Sequence, residues 1–184
     1  MIVQVINLEL DVELDIENTD PELDLKKVKD NHQLQLAERA PEVRQRLIDA
    51  LNRTSSLTYA LIPKTVSLPL LNRYQPGMAY GHHTDAHFGQ TNRGYFRCDI
   101  SCTIFLDEPA SYEGGELEIS TDHGLRSYKL KPGWGVFYPT QYIHQVKEVT
   151  RGERRAVVFW FESFVRDPQK RWMLYELQQL RAWI

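Results

Sequence analysis

His83-Thr84-Asp85, followed much later by His144 and then Arg154, form the pattern in this chain that most resembles a reactive site. A histidine and a carboxylate two residues apart on a strand point to the same side of a sheet. A second histidine from another strand completes a two-histidine, one-carboxylate set on one face of a metal ion. Such a set suits borderline divalent metals, Fe(II) among them, and leaves coordination positions open for exogenous ligands. The chain offers six histidines: His32, His82, His83, His87, His123 and His144. His82 has the opposite parity to Asp85 and reads as a neighbour of the site or as exposed. Asp85 and His87 share parity, but that pair lies past the expected strand end and abandons His83. Taken alone, a pair such as His83 and Asp85 is more commonly a satisfied polar strand end than a metal site.

Arg154 follows His144 by ten residues, beyond the Thr150-Arg151-Gly152 turn, on a strand that can pair with the one carrying His144. A buried guanidinium stays charged and needs an anionic partner. A dicarboxylate ligand, gripped bidentately at its far end, would supply one. The alternative is a surface arginine paired with Glu153 or Glu148, of the kind its neighbours Arg151 and Arg155 illustrate.

Leu8, Leu10, Val12, Leu14 and Ile16 interleave with Glu9, Asp11, Glu13, Asp15 and Glu17. Period two predicts a strand with one acidic face, read as an edge strand protected by its charges rather than as a site for a cation or a basic partner. Asn18-Thr19-Asp20-Pro21 signals a turn. Residues 37–52 carry a helical stripe of Val43, Leu47, Ile48 and Leu51, with Pro41 near the first turn. From Thr65 to Phe164 short strand-like runs are expected at 66–74, 78–84, 98–106, 115–120, 126–130, 135–138, 142–149 and 154–164. Gln75-Pro76-Gly77, Glu113-Gly114-Gly115 and Lys131-Pro132-Gly133 separate some of them as turns. That spacing, with no helical pattern between the strands, predicts a mainly β sandwich or barrel-like roll. The Gly114-Gly115-Glu116-Leu117 run lacks the strand–loop–helix context of a phosphate cradle and reads as a structural turn. Helical spacing returns from Arg166 to Ile184, with Asp167-Pro168 as start signal and Met173, Leu174, Leu177 and Leu180 in the pattern.

At 184 residues the chain fits one domain. The expected division is a β-roll over about 65–166, a strand and helix within 1–64, and a helix over 167–184. Hydrophobic residues make up 42% and charged residues 26%, an ordinary globular balance. A net charge of −3 gives no reason to expect nucleic acid or an anionic membrane as partner. No apolar run is long enough for a membrane span, and Met1-Ile2-Val3-Gln4-Val5 is unlike an export signal, so a cytoplasmic protein is expected. Cys98 and Cys102, if on one strand, lie roughly 13 Å apart at the rise of an extended chain. That is beyond disulfide reach, and both read as reduced packing residues.

The ordered motifs now add a resemblance. They are Asn72-Arg73-Tyr74, Gly81-His82-His83-Thr84-Asp85, Arg97-Cys98-Asp99, Phe105-Leu106, Tyr112-Glu113-Gly114-Gly115-Glu116-Leu117, Tyr138-Pro139, His144, Thr150-Arg151-Gly152-Glu153-Arg154, Phe159-Trp160 and Val165-Arg166-Asp167. The stretch from Leu71 to Asp167 resembles the Fe(II)- and 2-oxoglutarate-dependent dioxygenases of the prolyl/lysyl hydroxylase superfamily, and most of all the bacterial PKHD-type hydroxylases. Lys27-Val28-Lys29-Asp30-Asn31-His32-Gln33-Leu34 also looks like a family segment. The resemblance implies a double-stranded β-helix, a jelly-roll, cupin-like core with flanking helices. It implies Fe(II) held by His83, Asp85 and His144, and Arg154 on the distal carboxylate of 2-oxoglutarate. Tyr74 matches a tyrosine that reaches the cosubstrate, and Trp160 a pocket tryptophan; plain core packing is the alternative for both. Thr103 could line the same pocket.

The implied reaction hydroxylates an unactivated C–H bond with O2 while 2-oxoglutarate is decarboxylated to succinate and CO2, with ascorbate (vitamin C) as an accessory reductant. The implied substrate is a peptidyl prolyl or lysyl residue, with a small molecule as the other option; oligomeric state stays open. A β-roll binding module without catalysis is a further reading, against which the intact triad and Arg154 argue. A cupin-type hydrolase or isomerase would use more histidines and have no need of Arg154. Two departures from the family bear on the substrate. The segment before Lys27 is shorter than the family's usual helical N-terminus, and relatives carry a helical tail beyond the equivalent of Ile184. Both regions frame the active-site entrance.

Overall fold

The run Ala156-Val157-Val158-Phe159-Trp160-Phe161 is apolar on both faces, as a strand buried between two layers must be. The structure, a computed structural model, describes residues 4–7, 29–35, 45, 48–50, 52–91 and 94–181. In it that run forms the centre of β15 (Arg154–Ser163). β15 pairs antiparallel with β8 (Ile100–Phe105), β4 (Leu70–Tyr74) and β3 (Pro63–Val66). β12 (Trp134–Pro139) and β1 (Gln4–Asn7) continue the sheet beyond β8, and β2 (His32–Gln35) continues it beyond β4.

A second antiparallel sheet runs in the order β11 (Gly124–Tyr128), β10 (Leu117–Thr121), β13 (His144–Val146), β5 (Tyr80–His83). Two short pairs complete the strands among the described residues: β6 (Phe88–Thr91) with β7 (Gly94–Arg97), and β9 (Glu113–Gly114) with β14 (Val149–Arg151).

Strand alternation divides the large sheet's side chains between two cores. Ile104, Val157, Phe159 and Phe161 face a cluster completed by Leu57 and Leu61 of helix α1 (Ser55–Leu61). Tyr74, Phe105, Val136 and Tyr138 face the small sheet, meeting its Leu117, Ile119 and Val146. The inter-sheet space is where the chemistry-bearing residues converge.

Several expectations change. The run expected at 66–74 divides into β3 and β4. That expected at 142–149 divides into β13 and β14, which belong to different sheets. The strand expected over 98–106 begins at Ile100, so Cys98 precedes it. The β6–β7 hairpin was not expected, because its Phe88 and Tyr95 are exposed and leave no alternation to read. α1 also goes unannounced, being a single short element. The C-terminal helix α2 (Pro168–Arg181) is present, yet Met173, Leu174, Leu177 and Leu180 are exposed and its buried residue is Arg171. The acidic alternation at 8–17 lies outside the described residues. Of the helix expected over 37–52, residues 45, 48–50 and 52 are described, and each is helical. No helix among the described residues is long and apolar enough to cross a membrane.

Candidate metal and anion site

β5 and β13 pair with His83 directly opposite His144 and Tyr80 opposite Val146. Two residues stand between the β5 partners and one between those on β13, so β5 carries a bulge. A bulge re-aims the side chains after it. Tyr80 and His83, which strict alternation would send to opposite faces, therefore stack at 3.5 Å between ring centroids and 11° between planes. The two imidazoles lie 4.2 Å apart, and Tyr138 meets His144 edge-on at 5.0 Å.

Backbone carbonyls set the histidine tautomers. His83 Nδ1 lies 2.7 Å from the Gly81 carbonyl, and His144 Nδ1 lies 3.0 Å from that of Tyr142. A carbonyl only accepts, so each Nδ1 carries the proton and each Nε2 presents a lone pair. Both Nε2 atoms face Asp85 Oδ1, at 3.7 Å from His83 and 3.6 Å from His144.

Asp85 lies just beyond the end of β5 and is anchored from the opposite sheet. Its Oδ2 accepts hydrogen bonds from Ser101 Oγ at 2.7 Å and Trp160 Nε1 at 2.9 Å. Ser101 and Trp160 are cross-strand partners on β8 and β15, so one register delivers both donors. The Ser101 hydroxyl also sits 3.1 Å from that of Thr140. Burial alone would raise the Asp85 carboxyl; His144 and His83, to the extent that their Nε2 atoms carry protons, and the Ser101 hydroxyl outweigh it and hold the group well below the usual carboxylate range, a role that a cation takes over when both Nε2 atoms present lone pairs.

The result is three electron-pair donors, His83 Nε2, His144 Nε2 and Asp85 Oδ1, with all ligand atoms of the group within 4.8 Å of one another. Neutral imidazole lone pairs turned toward a carboxylate oxygen are satisfied by a cation between them. Nitrogen and oxygen donors of this kind fit Fe(II).

Arg154 makes the second half of the site. It is 1% exposed, and its Nε and Nη2 have no hydrogen-bond partner. Its guanidinium carbon lies 5.2 Å from the Tyr74 ring centroid and 5.3 Å from that of Phe105. Glu153, its neighbour in sequence, is engaged with Arg73, and Asp107 with Arg155. Two sealed N–H donors on a permanent cation call for an anion with paired oxygens, as a carboxylate has. Tyr74, cross-strand from Arg154, is also 1% exposed. Burial pushes its hydroxyl up to about 12 against the opposing pull of Arg154, which keeps it a hydrogen-bond donor.

Gly115, at φ +68°, lets the arginine pass: a Cβ there would stand 2.9 Å from Arg154 Cδ. Gly114, at φ +72°, would collide with the Glu148 carbonyl. Both glycines serve close approach, in line with a structural role for that run.

One cavity of about 230 Å³ takes in the triad and Arg154 together, with Tyr74, Thr103 and Trp160 also on its wall. Trp160 spends its indole N–H on Asp85. His82 and His87 are exposed, and His87 lines a different cavity. One expectation is corrected. β15 does not pair with β13; Arg154 and His144 lie in different sheets and meet across the space between them. Ser101, Tyr80 and Lys29 also line or hold the site without having been singled out. Ser101 shares strand parity with Thr103, a signal that could have found it; Tyr80 depends on the bulge, which leaves none.

Similarity to known proteins agrees with this geometry. A PKHD-type hydroxylase of Rippkaea orientalis is 44% identical over 132 residues, 72% of this chain and 59% of that protein. One from Sphingopyxis alaskensis is 37% identical over 156 residues, 85% of this chain and 72% of the relative. The chain thus spans about three fifths of the first relative's length. Among solved structures, a prolyl hydroxylase from Trichoplax adhaerens in complex with a hypoxia inducible factor peptide fragment superposes with a TM-score of 0.59. It is 14% identical, over 82% of this chain and 69% of that one. The shared fold is the double-stranded β-helix. The family model for the 2OG-Fe(II) oxygenase superfamily matches residues 69–162, from β4 through the triad and Arg154 to β15, and this chain belongs to that superfamily.

Proposed function

We propose that this protein hydroxylates an unactivated C–H bond of a prime substrate, consuming O2 and 2-oxoglutarate and releasing succinate and CO2. One observation carries the reading: a metal-ready triad and an anion-seeking arginine share one cavity. His83, Asp85 and His144 would hold Fe(II), and Arg154 the distal carboxylate of 2-oxoglutarate. The iron, when bound, supplies the oxygen-activating redox chemistry. The chain's own contribution is placement. Carbonyl-fixed histidines and a doubly bonded Asp85 Oδ2 hold three donor atoms ready. The Tyr74 hydroxyl is a donor available to the cosubstrate, while Thr103 and Trp160 shape its pocket. The intact donor set speaks for an enzyme over a binding module.

The substrate we favour is a peptidyl prolyl or lysyl residue, in keeping with the hydroxylase relatives; a small molecule is the second option. Ascorbate would serve as accessory reductant. Both cysteines are free and buried, in keeping with a reducing compartment such as the cytoplasm.

Anaerobic Fe(II) with 2-oxoglutarate should produce a weak visible charge-transfer band, and air should then yield succinate. Asp85→Ala and His144→Ala should abolish both. Arg154→Ala should keep metal binding but raise the 2-oxoglutarate requirement about 30-fold or more, the loss from truncating one side of a buried charge pair. Neither band nor succinate from wild-type protein would overturn the reading, and full turnover by Asp85→Ala would overturn the ligand set.

A further inference from the structure

We propose that the prime substrate carries a negative charge, a carboxylate or phosphate, which Lys29 receives inside the catalytic cavity. The inference rests on the 2-oxoglutarate oxygenase reading. Lys29 is fixed beside β5 by a backbone bridge to Tyr80, next to a hydrogen bond of 2.9 Å from Asp30 N to the Ala79 carbonyl. Its half-buried side chain lines the cavity. Nζ stands 5.3 Å from the Tyr80 ring centroid, and that same ring stacks on His83. The ammonium is therefore on the metal-ligand side of the cavity. Arg154 is packed elsewhere, against Tyr74 and Phe105.

The charge balance of the loaded cavity leaves Lys29 over. Among the described residues Asp85 is the one carboxylate on the cavity wall, and it faces the two histidines. A divalent metal and Arg154 offset Asp85 and dianionic 2-oxoglutarate, so the loaded site is neutral before Lys29 is included. Among the described residues Lys29 has no counter-charge of its own, so it adds one cation. Burial lowers its pKa, as befits an ammonium short of compensation. An anionic group on the substrate would supply a charge-assisted hydrogen bond where water is partly excluded. A protonated lysyl side chain in the same cavity would add to the excess instead. Of the substrates considered above, a prolyl residue next to an acidic group, or a small acid, complements the cavity better than a lysyl residue.

Matched probes test this on the full chain. Propionate and propionamide have the same shape and differ in charge; methyl phosphate represents the other anion source. Each is titrated into the protein loaded with Mn(II) and saturating 2-oxoglutarate, and binding near the metal is read from paramagnetic relaxation of the methyl protons. At least one anion should bind about fivefold or more tighter than propionamide, and the better anion names the source. Lys29→Ala should reduce that preference below about twofold, Lys29→Arg should keep it, and neither should change the 2-oxoglutarate requirement. No anion preference in wild type, or a preference that survives Lys29→Ala, overturns the proposal. So does a raised 2-oxoglutarate requirement in Lys29→Ala, which would assign the lysine to the cosubstrate. The Fe(II) charge-transfer band separates the two levels: a band without Lys29-dependent preference removes this inference alone, and no band removes the oxygenase reading beneath it.

Discussion

Asp85 has two oxygens and two different tasks. Oδ2 is held by Ser101 and Trp160, which leaves Oδ1 to face both imidazoles. Groups that orient a ligand tune metal affinity, typically by 10- to 100-fold. Ser101→Ala should accordingly weaken anaerobic Fe(II) binding by about tenfold with little change in the 2-oxoglutarate requirement at saturating metal. Ser101→Thr, which restores the hydroxyl, should recover most of it. Equal metal affinity in Ser101→Ala would show that Trp160 alone suffices. The triad and Arg154 were legible in the sequence because residue type and spacing announce them. Ser101 was not, because a serine acquires its meaning from the cross-strand Trp160 and from where Asp85 ends up. Tyr80 was hidden for a different reason: strict alternation places it on the wrong face, and a bulge reverses that. Trp160 was legible as a cavity residue, but its hydrogen bond to the carboxylate was not.

β15 shows how one strand serves stability and chemistry through its two faces. Val157, Phe159 and Phe161 enter the cluster shared with α1, while Arg154, Val158 and Trp160 line the cavity. Phe159, 2% exposed, should cost about 3–5 kcal/mol when replaced by alanine. Folded Phe159→Ala protein should still bind 2-oxoglutarate like wild type, since the lost ring is on the far face. Gly115→Ala should behave in the opposite way. It forces a side chain into φ +68° and against Arg154 Cδ, so it should cost about 1–3 kcal/mol and also raise the 2-oxoglutarate requirement. Urea denaturation paired with cosubstrate titration separates the two; an unchanged requirement in Gly115→Ala would detach that glycine from the arginine. Strand positions were largely legible from glycine and proline punctuation and from apolar runs. The β6–β7 hairpin was not, since Phe96 is buried while Phe88 and Tyr95 are exposed, and the ion pairs of Arg97 with Asp99 and Glu162 that tie it down leave no apolar pattern.

At the scale of the whole molecule, the site ties two sheets together. The histidines belong to the small sheet, while the groups that hold Asp85 and the arginine belong to the large one. The sequence pattern announced a β-roll, but not which strands share a sheet. Pairing depends on long-range register, which is why Arg154 and His144, ten residues apart, were expected side by side and instead face each other across the interior. That arrangement has a measurable consequence. A ligand set that needs both sheets in place binds the folded chain and not the unfolded one, so it stabilises the fold by mass action. With Mn(II) and 2-oxoglutarate each near a hundredfold above its dissociation constant, and oxygen absent, stabilisation should reach about 3 kcal/mol or more. For a chain of this size that is a rise in Tm of roughly 6–12 °C. Chelation should reverse it. In Asp85→Ala the shift should vanish, because the histidines alone lose the carboxylate that completes the metal set and that the large sheet holds in place through Ser101 and Trp160. A shift of equal size in Asp85→Ala would mean that the metal binds somewhere other than between the sheets.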